Sequence, residues 1–357
     1  MSILGNLNEI SKNGQRLRSF DFIRGLAILG IIIVHSTQNF TSNINYVDYF
    51  FELGRFGVQL FYFISALTMC YMWQLRKNEK NKIKNFYIRR FFRIVPLFWI
   101  AIIIYIFIKE LNLIEWKEEI LLSATLLHGF SHKAINSIVP GGWSIAVEAF
   151  FYLIFPFLIM IIKNNKNVYL FCAFIFWALY TFFLRDFLDN TLLSLNLINN
   201  SYVRKEFLYM TFLNQFPIFL LGCYMFFLIN DDKKSDNKLL LFFISWIVFN
   251  LILGYIYKEG QFYFSSVYIF LGLFCFFCIK KNISFKPIEV LGKHSYAIYL
   301  FHHVVINQLE KIYTEDRSLI ILILTILSVT LISLIISILT DFLIEKRFQK
   351  LANHFTK

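Results

Sequence analysis

Ten runs of mostly apolar residues recur along the 357-residue chain, near 22–40, 56–74, 94–109, 143–162, 168–184, 207–229, 238–257, 262–280, 296–310 and 318–340. About 20 such residues carry a helix across the hydrocarbon core of a bilayer, where only helices and closed barrels satisfy their own backbone polar groups. The expected fold is all-α: a polytopic membrane helical bundle of about ten transmembrane helices. The third and ninth runs are short, and the count depends on them most. The stretch EILLSATLLHGF at 119–130 is too short to span and is expected to lie at the interface or dip into it.

Charge patterning supports the same class. Only 16% of residues are charged, against about 25% in a soluble domain. The net charge of +12 is carried by short loops between apolar runs and not by a polar domain, which argues against a nucleic-acid partner. With the N-terminus inside, the inner segments hold 25 of the 35 Lys and Arg and the outer segments 10. That asymmetry puts both termini in the cytoplasm, in a multi-pass protein of the cytoplasmic membrane. The expected organisation is a single membrane domain over 1–357, with a cytoplasmic lead at 1–20, a short tail at 345–357 and no appended soluble domain. No small-residue cleavage site follows the first run, so it is expected to be retained as a helix. Cys70, Cys172, Cys223, Cys275 and Cys278 all fall in apolar runs. They are expected to pack, and neither a disulfide framework nor a metal site is expected.

Ionisable residues inside such runs are functional candidates by default. In SFDFIRGLAILGIIIVHSTQNF, residues 19–40, Arg24 and His35 are eleven residues apart. At about 1.5 Å and 100° per residue they share one helix face, roughly 16 Å apart along the axis. Asp21 can pair with Arg24 at i,i+3. Arg24 fits a snorkelling cytoplasmic flank or a ligand contact; His35 must face protein or water. Glu148, in GGWSIAVEAFFYLIFP, is placed at a depth close to that of His35, and a His–Glu pair would satisfy both groups and make the imidazole more basic. In HSYAIYLFHHVVI, Tyr299 and His302 can face one cavity while His303 points elsewhere. The RRFFR segment places Arg89, Arg90 and Arg93 at the mouth of the third run. Arginines among aromatic rings suit lipid headgroups or a phosphate-rich ligand that carries adenine.

Five segments in order resemble the acyltransferase-3 family of integral-membrane acyltransferases, which includes O-acetyltransferases of bacterial surface polysaccharides. They are FDFIRGLAILGIIIVHS with Arg24 and His35; GRFGVQLFYFISAL with Gly57, Phe61 and Ser65; YIRRFFRIVPLFW with Arg89, Arg90, Arg93 and Pro96; WSIAVEAFFYLIFP with Ser144, Glu148, Phe151 and Tyr152; and LGKHSYAIYLFHHVV with Ser295, Tyr296, Tyr299 and His302. Two positions depart from the family pattern. Gln59 stands where many members carry Asp, and Ala66 replaces the Gly after Ser65; both are expected to flank the cavity.

The resemblance implies an enzyme that moves an acyl group, with acetyl expected, from cytosolic acyl-CoA to a hydroxyl of a cell-surface glycan on the outer side. Arg24, Arg89, Arg90 and Arg93 would bind the CoA phosphates. His35 would act as general base or transient acyl carrier, with Glu148 orienting it and Arg24 completing the catalytic set. Asp21, Gln59, Ser65, Ser144, Tyr299 and His302 are the candidate cavity or acceptor residues. Acyl-CoA is a co-substrate; no permanently bound cofactor and no metal is expected. The partners are the lipid bilayer, acyl-CoA and the glycan, and no feature fixes an oligomeric state. The rival is a transporter or flippase for lipid-linked sugars without acyl chemistry. A glycan polymerase or ligase fits less well, because the longest outer segment, 110–142, carries only Lys117 and Lys133 against four glutamates.

Overall fold

The computed structural model describes residues 17–39, 53–162, 165–229, 236–258, 260–311 and 319–356, so residues 1–16 of the expected lead and the final residue of the tail lie outside the described set. Every regular element among them is helical. In chain order these are α1 Arg18–Asn39, a short turn Leu53–Phe56, α2 Gly57–Leu75, α3 Lys82–Ile108, α4 Lys117–Ala124, α5 Gly142–Ile162, α6 Lys166–Leu179, α7 Arg185–Ser194, α8 Ser201–Met210, α9 Phe212–Ile229, α10 Asp236–Tyr257, α11 Gly260–Lys280, α12 Lys286–Lys293, α13 Ser295–Glu310, α14 Leu319–Thr340 and α15 Lys346–Phe355.

Among the described residues, eight helical segments are long and apolar enough to cross a membrane: Arg18–Gln38, Leu53–Leu75, Lys82–Ile108, Gly142–Ile162, Lys166–Ser194, Ser201–Ile229, Gly260–Lys280 and Leu319–Phe355. The molecule is a polytopic helical membrane protein. The other two expected runs are helical as well, one of them the 22-residue α10. Leu241–Tyr257 is its described apolar part. The other, α13, has 16 residues, a length of about 24 Å against a hydrocarbon core of about 30 Å.

The short third run is the apolar end of a 27-residue helix. No Gly or Pro interrupts Lys82–Val95, so helix continues through the basic segment and puts Arg89, Arg90 and Arg93 on α3 itself. The break falls earlier, where Asn81 adopts a left-handed backbone with φ of 52°.

Glycines set how closely α1 is held. A Cβ on Gly25 would run into the Ile288 carbonyl, and one on Gly292 into the Asp21 carbonyl, so α1 and α12 cross backbone to backbone. On another side, a Cβ on Gly57 would meet the Ala27 carbonyl of α1. Small residues at such crossings replace the hydrophobic drive that is missing between helices in lipid. α1 is therefore clamped along its length, which fixes where Arg24 and His35 point. α8 and α9 form the most enclosed segment, with 83% of its apolar stretch buried, whereas the final helical segment has 22% buried and faces outward.

Residues 110–141 fold as a cap over one end of the bundle. Trp99 Nε1 donates to the Ala124 carbonyl at 2.8 Å, and Lys109 Nζ to the Ser137 carbonyl at 2.7 Å. His128 is buried against Phe98 and donates from Nε2 to the Gly142 carbonyl at 2.9 Å. Burial lowers the pKa of His128, so it is a neutral structural group of the cap. The four described helices α1, α2, α5 and α13, with α3, enclose the space beneath it.

Candidate active site

Arg24 and His35 open into different cavities. The first, of about 90 Å³, is lined by Arg24 of α1, Ser65 of α2, Arg90 and Arg93 of α3, Glu148 and Tyr152 of α5, and Ser295 and Tyr296 of α13, among others. Arg24 donates to Thr68 Oγ1 at 2.7 Å and pairs with Asp21 at 3.4 Å, the i,i+3 contact its spacing allows. Glu148 accepts from Ser65 Oγ at 2.5 Å and from the Tyr152 hydroxyl, which also lies 2.8 Å from Ser65 Oγ. The Arg90 guanidinium lies over the Tyr152 and Phe86 rings at 5.5 and 5.8 Å, and its buried Nε has no hydrogen-bond partner. Three guanidinium groups thus converge on a small enclosure with one carboxylate, and one buried donor is unspent. Such an arrangement is complementary to an anion.

Arg89 is not part of it. Its guanidinium makes a bidentate pair with Glu79 at 2.7 and 2.8 Å, holding the 76–81 turn to α3. This contact keeps the Glu79 carboxyl below the usual carboxylate range.

The second cavity, of about 290 Å³, is lined by His35, Gln38, His303, Arg55, Glu206, Tyr209, Trp143 and the cap residues Asn136, Pro140 and Gly141, among others. His35 Nδ1 lies 3.0 Å from Gln38 Oε1, and the rings of His302 and His303 stand 5.3 and 4.4 Å from the His35 ring. His302, an expected cavity residue, is fully buried and lines neither cavity; its Nδ1 donates to the Tyr299 carbonyl at 2.7 Å, and its Nε2 has no partner. Because a carbonyl only accepts, the proton on His302 is fixed at Nδ1 and Nε2 presents a bare lone pair. The three histidines offer ligand atoms within 4.8 Å of one another, a set that a divalent cation could draw together. A tetrahedral zinc site needs nitrogen atoms about 3.3 Å apart, given bonds of about 2.0–2.1 Å.

Tyr299 and Val58 line both cavities. The Tyr299 hydroxyl accepts from Ser144 Oγ at 2.7 Å and donates to the Gly141 carbonyl at 2.8 Å, tying α13 to the start of α5 and to the cap. Gly141 has φ of 76°, and a Cβ there would lie 2.8 Å from the Tyr299 hydroxyl, so both conformation and space call for glycine. The partition is Val58 together with the well-tethered side chain of Tyr299.

Several sequence expectations are redrawn by this geometry. His35 and Glu148 do not pair: Ser144 already lies at the Tyr299 partition, and Glu148 sits one turn, about 6 Å, beyond it toward Arg24. His303 does not point elsewhere but stands beside His35. Gln59 lines neither cavity; it is fully buried and donates to the Tyr209 hydroxyl at 3.0 Å and to Gln215 at 3.1 Å. Ala66 packs against Gly222 of α9. Thr68 and Gln38, the partners of Arg24 and His35, are not among the residues the sequence singles out, although each stands three residues from one that is, Ser65 and His35. Cys275 and Cys278 are buried free thiols, as packing residues are.

Comparison with known proteins bears on this arrangement. The model of an acyltransferase domain family matches residues 17–341. A peptidoglycan O-acetyltransferase of Listeria monocytogenes is 25% identical over 332 residues, covering 81% of this chain and 49% of that protein. An O-acetyltransferase of Staphylococcus aureus is 24% identical over 339 residues, covering 84% and 52%. The chain spans about half the length of these curated relatives. No solved structure matches it.

Proposed function

The chain belongs to the acyltransferase domain family, and from that premise we propose that it is a membrane O-acyltransferase. Its donor is acyl-CoA, with acetyl the expected group, and its acceptor is a hydroxyl of a cell-surface glycan. The observation that carries this reading is the division of the α1 stripe between two cavities that meet at Tyr299. A donor with a charged head and a thin acyl arm suits the first; a hydroxyl acceptor suits the second.

In this reading Arg24, Arg90 and Arg93 hold the phosphates of CoA at the mouth of the smaller cavity, in part through charge-assisted hydrogen bonds. Glu148, bonded by Ser65 and Tyr152, keeps the wall of that cavity polar and positions Ser65; it is not the partner of His35. The thioester reaches past Tyr299 to the histidine cluster. His35, with Nδ1–H donated to Gln38, presents Nε2 to the acceptor hydroxyl as general base. The hydroxyl oxygen bonds to the thioester carbon, the carbon–sulfur bond breaks, the hydroxyl proton goes to the imidazole, and the thiolate leaves as CoA once protonated. His302, with its bare Nε2, offers the cluster a second acceptor for that proton. Three clustered imidazoles can handle a proton without a metal.

The test uses the purified protein in vesicles with acetyl-CoA labelled in its acetyl group, beside His35→Ala. Acceptor-dependent release of CoA that vanishes in the variant, with CoA binding kept, supports the reading. Label trapped on the wild-type protein makes His35 an acyl carrier. Neither CoA binding nor turnover would leave the two cavities as a permeation path for a transported sugar.

A further inference from the structure

Beyond the histidine cavity lies a third, open cavity of about 350 Å³. It shares Arg55, Glu206 and Tyr209 with the histidine cavity, so the two adjoin across these side chains. Four cations line it: Arg55 from the turn before α2, Arg185 at the start of α7, Lys205 on α8 and Lys258 just after α10. Glu206 is the one carboxylate among the lining residues, and it pairs with Arg55 at 3.9 Å. Lys205 and Lys258 are exposed and have no carboxylate within ion-pair distance among the described residues. These four belong to the ten Lys and Arg that the charge distribution assigns to the outer side, where single basic residues are otherwise scattered.

Glu206 answers Arg55, but Lys205 and Lys258 add like charge to the same concavity, and a concave low-dielectric wall focuses that field outward. Of the rings in its wall, Tyr180 and Phe264 are buried, whereas Tyr263 is exposed, and Tyr209 stands at the shared wall. An exposed ring offers an apolar face to the face of a sugar ring, while the cations meet charged substituents. Adjacency to the histidine cavity favours a ligand whose neighbouring units reach both over a lipid headgroup, which would need the outer cleft alone.

We propose that this cleft binds an anionic stretch of the acceptor glycan. Its carboxylate or phosphate groups would lie against Arg185, Lys205 and Lys258, with a neighbouring sugar presenting its hydroxyl beside His35. The role as acceptor site rests on the acyltransferase reading; the preference for an anionic oligosaccharide does not.

The experiment measures binding without any acyl donor, using the full chain in zwitterionic nanodiscs and two fluorescent tetrasaccharides. One is a hyaluronan tetrasaccharide, with a carboxylate on alternate sugars; the other is the neutral N-acetylglucosamine tetramer. The expected result is at least tenfold tighter binding of the anionic sugar, an advantage that shrinks as salt rises and disappears in K205E/K258E. Both lysines are exposed, so the double variant should fold, which a matching melting temperature would check. Equal or absent binding of the two sugars overturns the proposal, as does an advantage that survives the double variant. If anionic phospholipid in the disc displaces the charged sugar, the cleft is a lipid site and the glycan proposal falls. Because no donor is present, failure of the transfer reaction and failure of this site would be seen separately.

Discussion

The two ends of α1 solve opposite problems with the same helix. At the Arg24 end the cavity is small, about 90 Å³, and most of its polar groups are bonded: Arg24 to Thr68 and Asp21, Glu148 to Ser65 and Tyr152. At the His35 end it is about 290 Å³, adjoins a wider basic cleft, and is lined by His35 and His303, with His302 buried outside the lining. A tightly bonded pocket discriminates one fixed shape, because a misplaced ligand leaves buried polar groups unpaired. The roomier end, with two imidazoles on its wall, can take up hydroxyls on varied chains. The contrast fits an enzyme with one constant donor and an acceptor set by the cell surface it serves.

The largest expected effect tests that division directly. His35→Ala should lower acyl transfer by about 10²–10⁴-fold, the range of a positioned general base, while donor affinity changes less than about threefold. A comparable loss of donor affinity would mean that the two ends are one site. In the mirror experiment, Arg90→Met and Arg24→Ala should each weaken acyl-CoA binding by about 10–100-fold, as expected for losing a charge-assisted hydrogen bond worth about 1.5–3 kcal/mol. Acceptor KM should stay near its wild-type value. Arg89→Gln should weaken donor binding far less, since its guanidinium is committed to Glu79.

How much of this contrast is legible in the sequence follows from what a linear pattern can carry. Helical phase puts Arg24 and His35 on one stripe, and phase is a property of one helix alone. The expected His35–Glu148 pair requires two helices, and counting from the ends of apolar runs yields an approximate depth without the azimuth. Glu148 faces Ser65 and Tyr152, one helical turn past the Ser144 contact with Tyr299. Phase also separates His303 from His302, since neighbours on a helix diverge by about 100°. Yet the imidazoles at both positions lie 4.3 Å apart and 5.3 and 4.4 Å from the His35 ring, so the three form one cluster. Arg89 groups with its neighbours only if α3 starts at its apolar part. The additional basic turns put Arg89 within reach of Glu79, ten residues earlier. The basic cleft cannot be read from the sequence at all, as its cations come from four segments between Arg55 and Lys258.

The partition between the two ends offers a subtler test. Tyr299→Phe removes one donor to the Gly141 carbonyl and the acceptor of Ser144 Oγ, which retains Gly141 as an alternative at 3.1 Å. Stability should fall by about 1 kcal/mol, the net worth of a typical hydrogen bond. A less tethered ring should raise acetyl-CoA hydrolysis in the absence of acceptor by about two- to fivefold, an effect of about 0.4–1 kcal/mol on the barrier. Unchanged hydrolysis beside a lowered melting temperature would make Tyr299 a structural strut and not a barrier. A chelator offers a sharper view of the His35 end: turnover should survive prolonged treatment. Loss of turnover restored by zinc would turn the three histidines from a proton relay into a metal site.

The smallest expected effect concerns the one arginine that the Arg24 end leaves out. The Glu79 carboxyl is held below the usual carboxylate range first by its bond to Arg89, so in the unfolded chain it binds a proton at higher pH than in the folded one. The clamp therefore contributes its full stability above the ordinary carboxylate range and loses it as pH falls through the lowered folded value. Both side chains are about one-fifth exposed or less, and an ion pair of this kind is worth about 1 kcal/mol or less. Glu79→Gln should lower the melting temperature at neutral pH by about 1–2 °C. The difference from wild type should close as the solution is acidified, because a protonated Glu79 is then as neutral as the amide that replaces it. A difference that persists in acid would show that the glutamate acts by shape and not by charge. A tenfold loss of donor affinity in Glu79→Gln would bring Arg89 back into the donor site and widen the narrow end of the comparison.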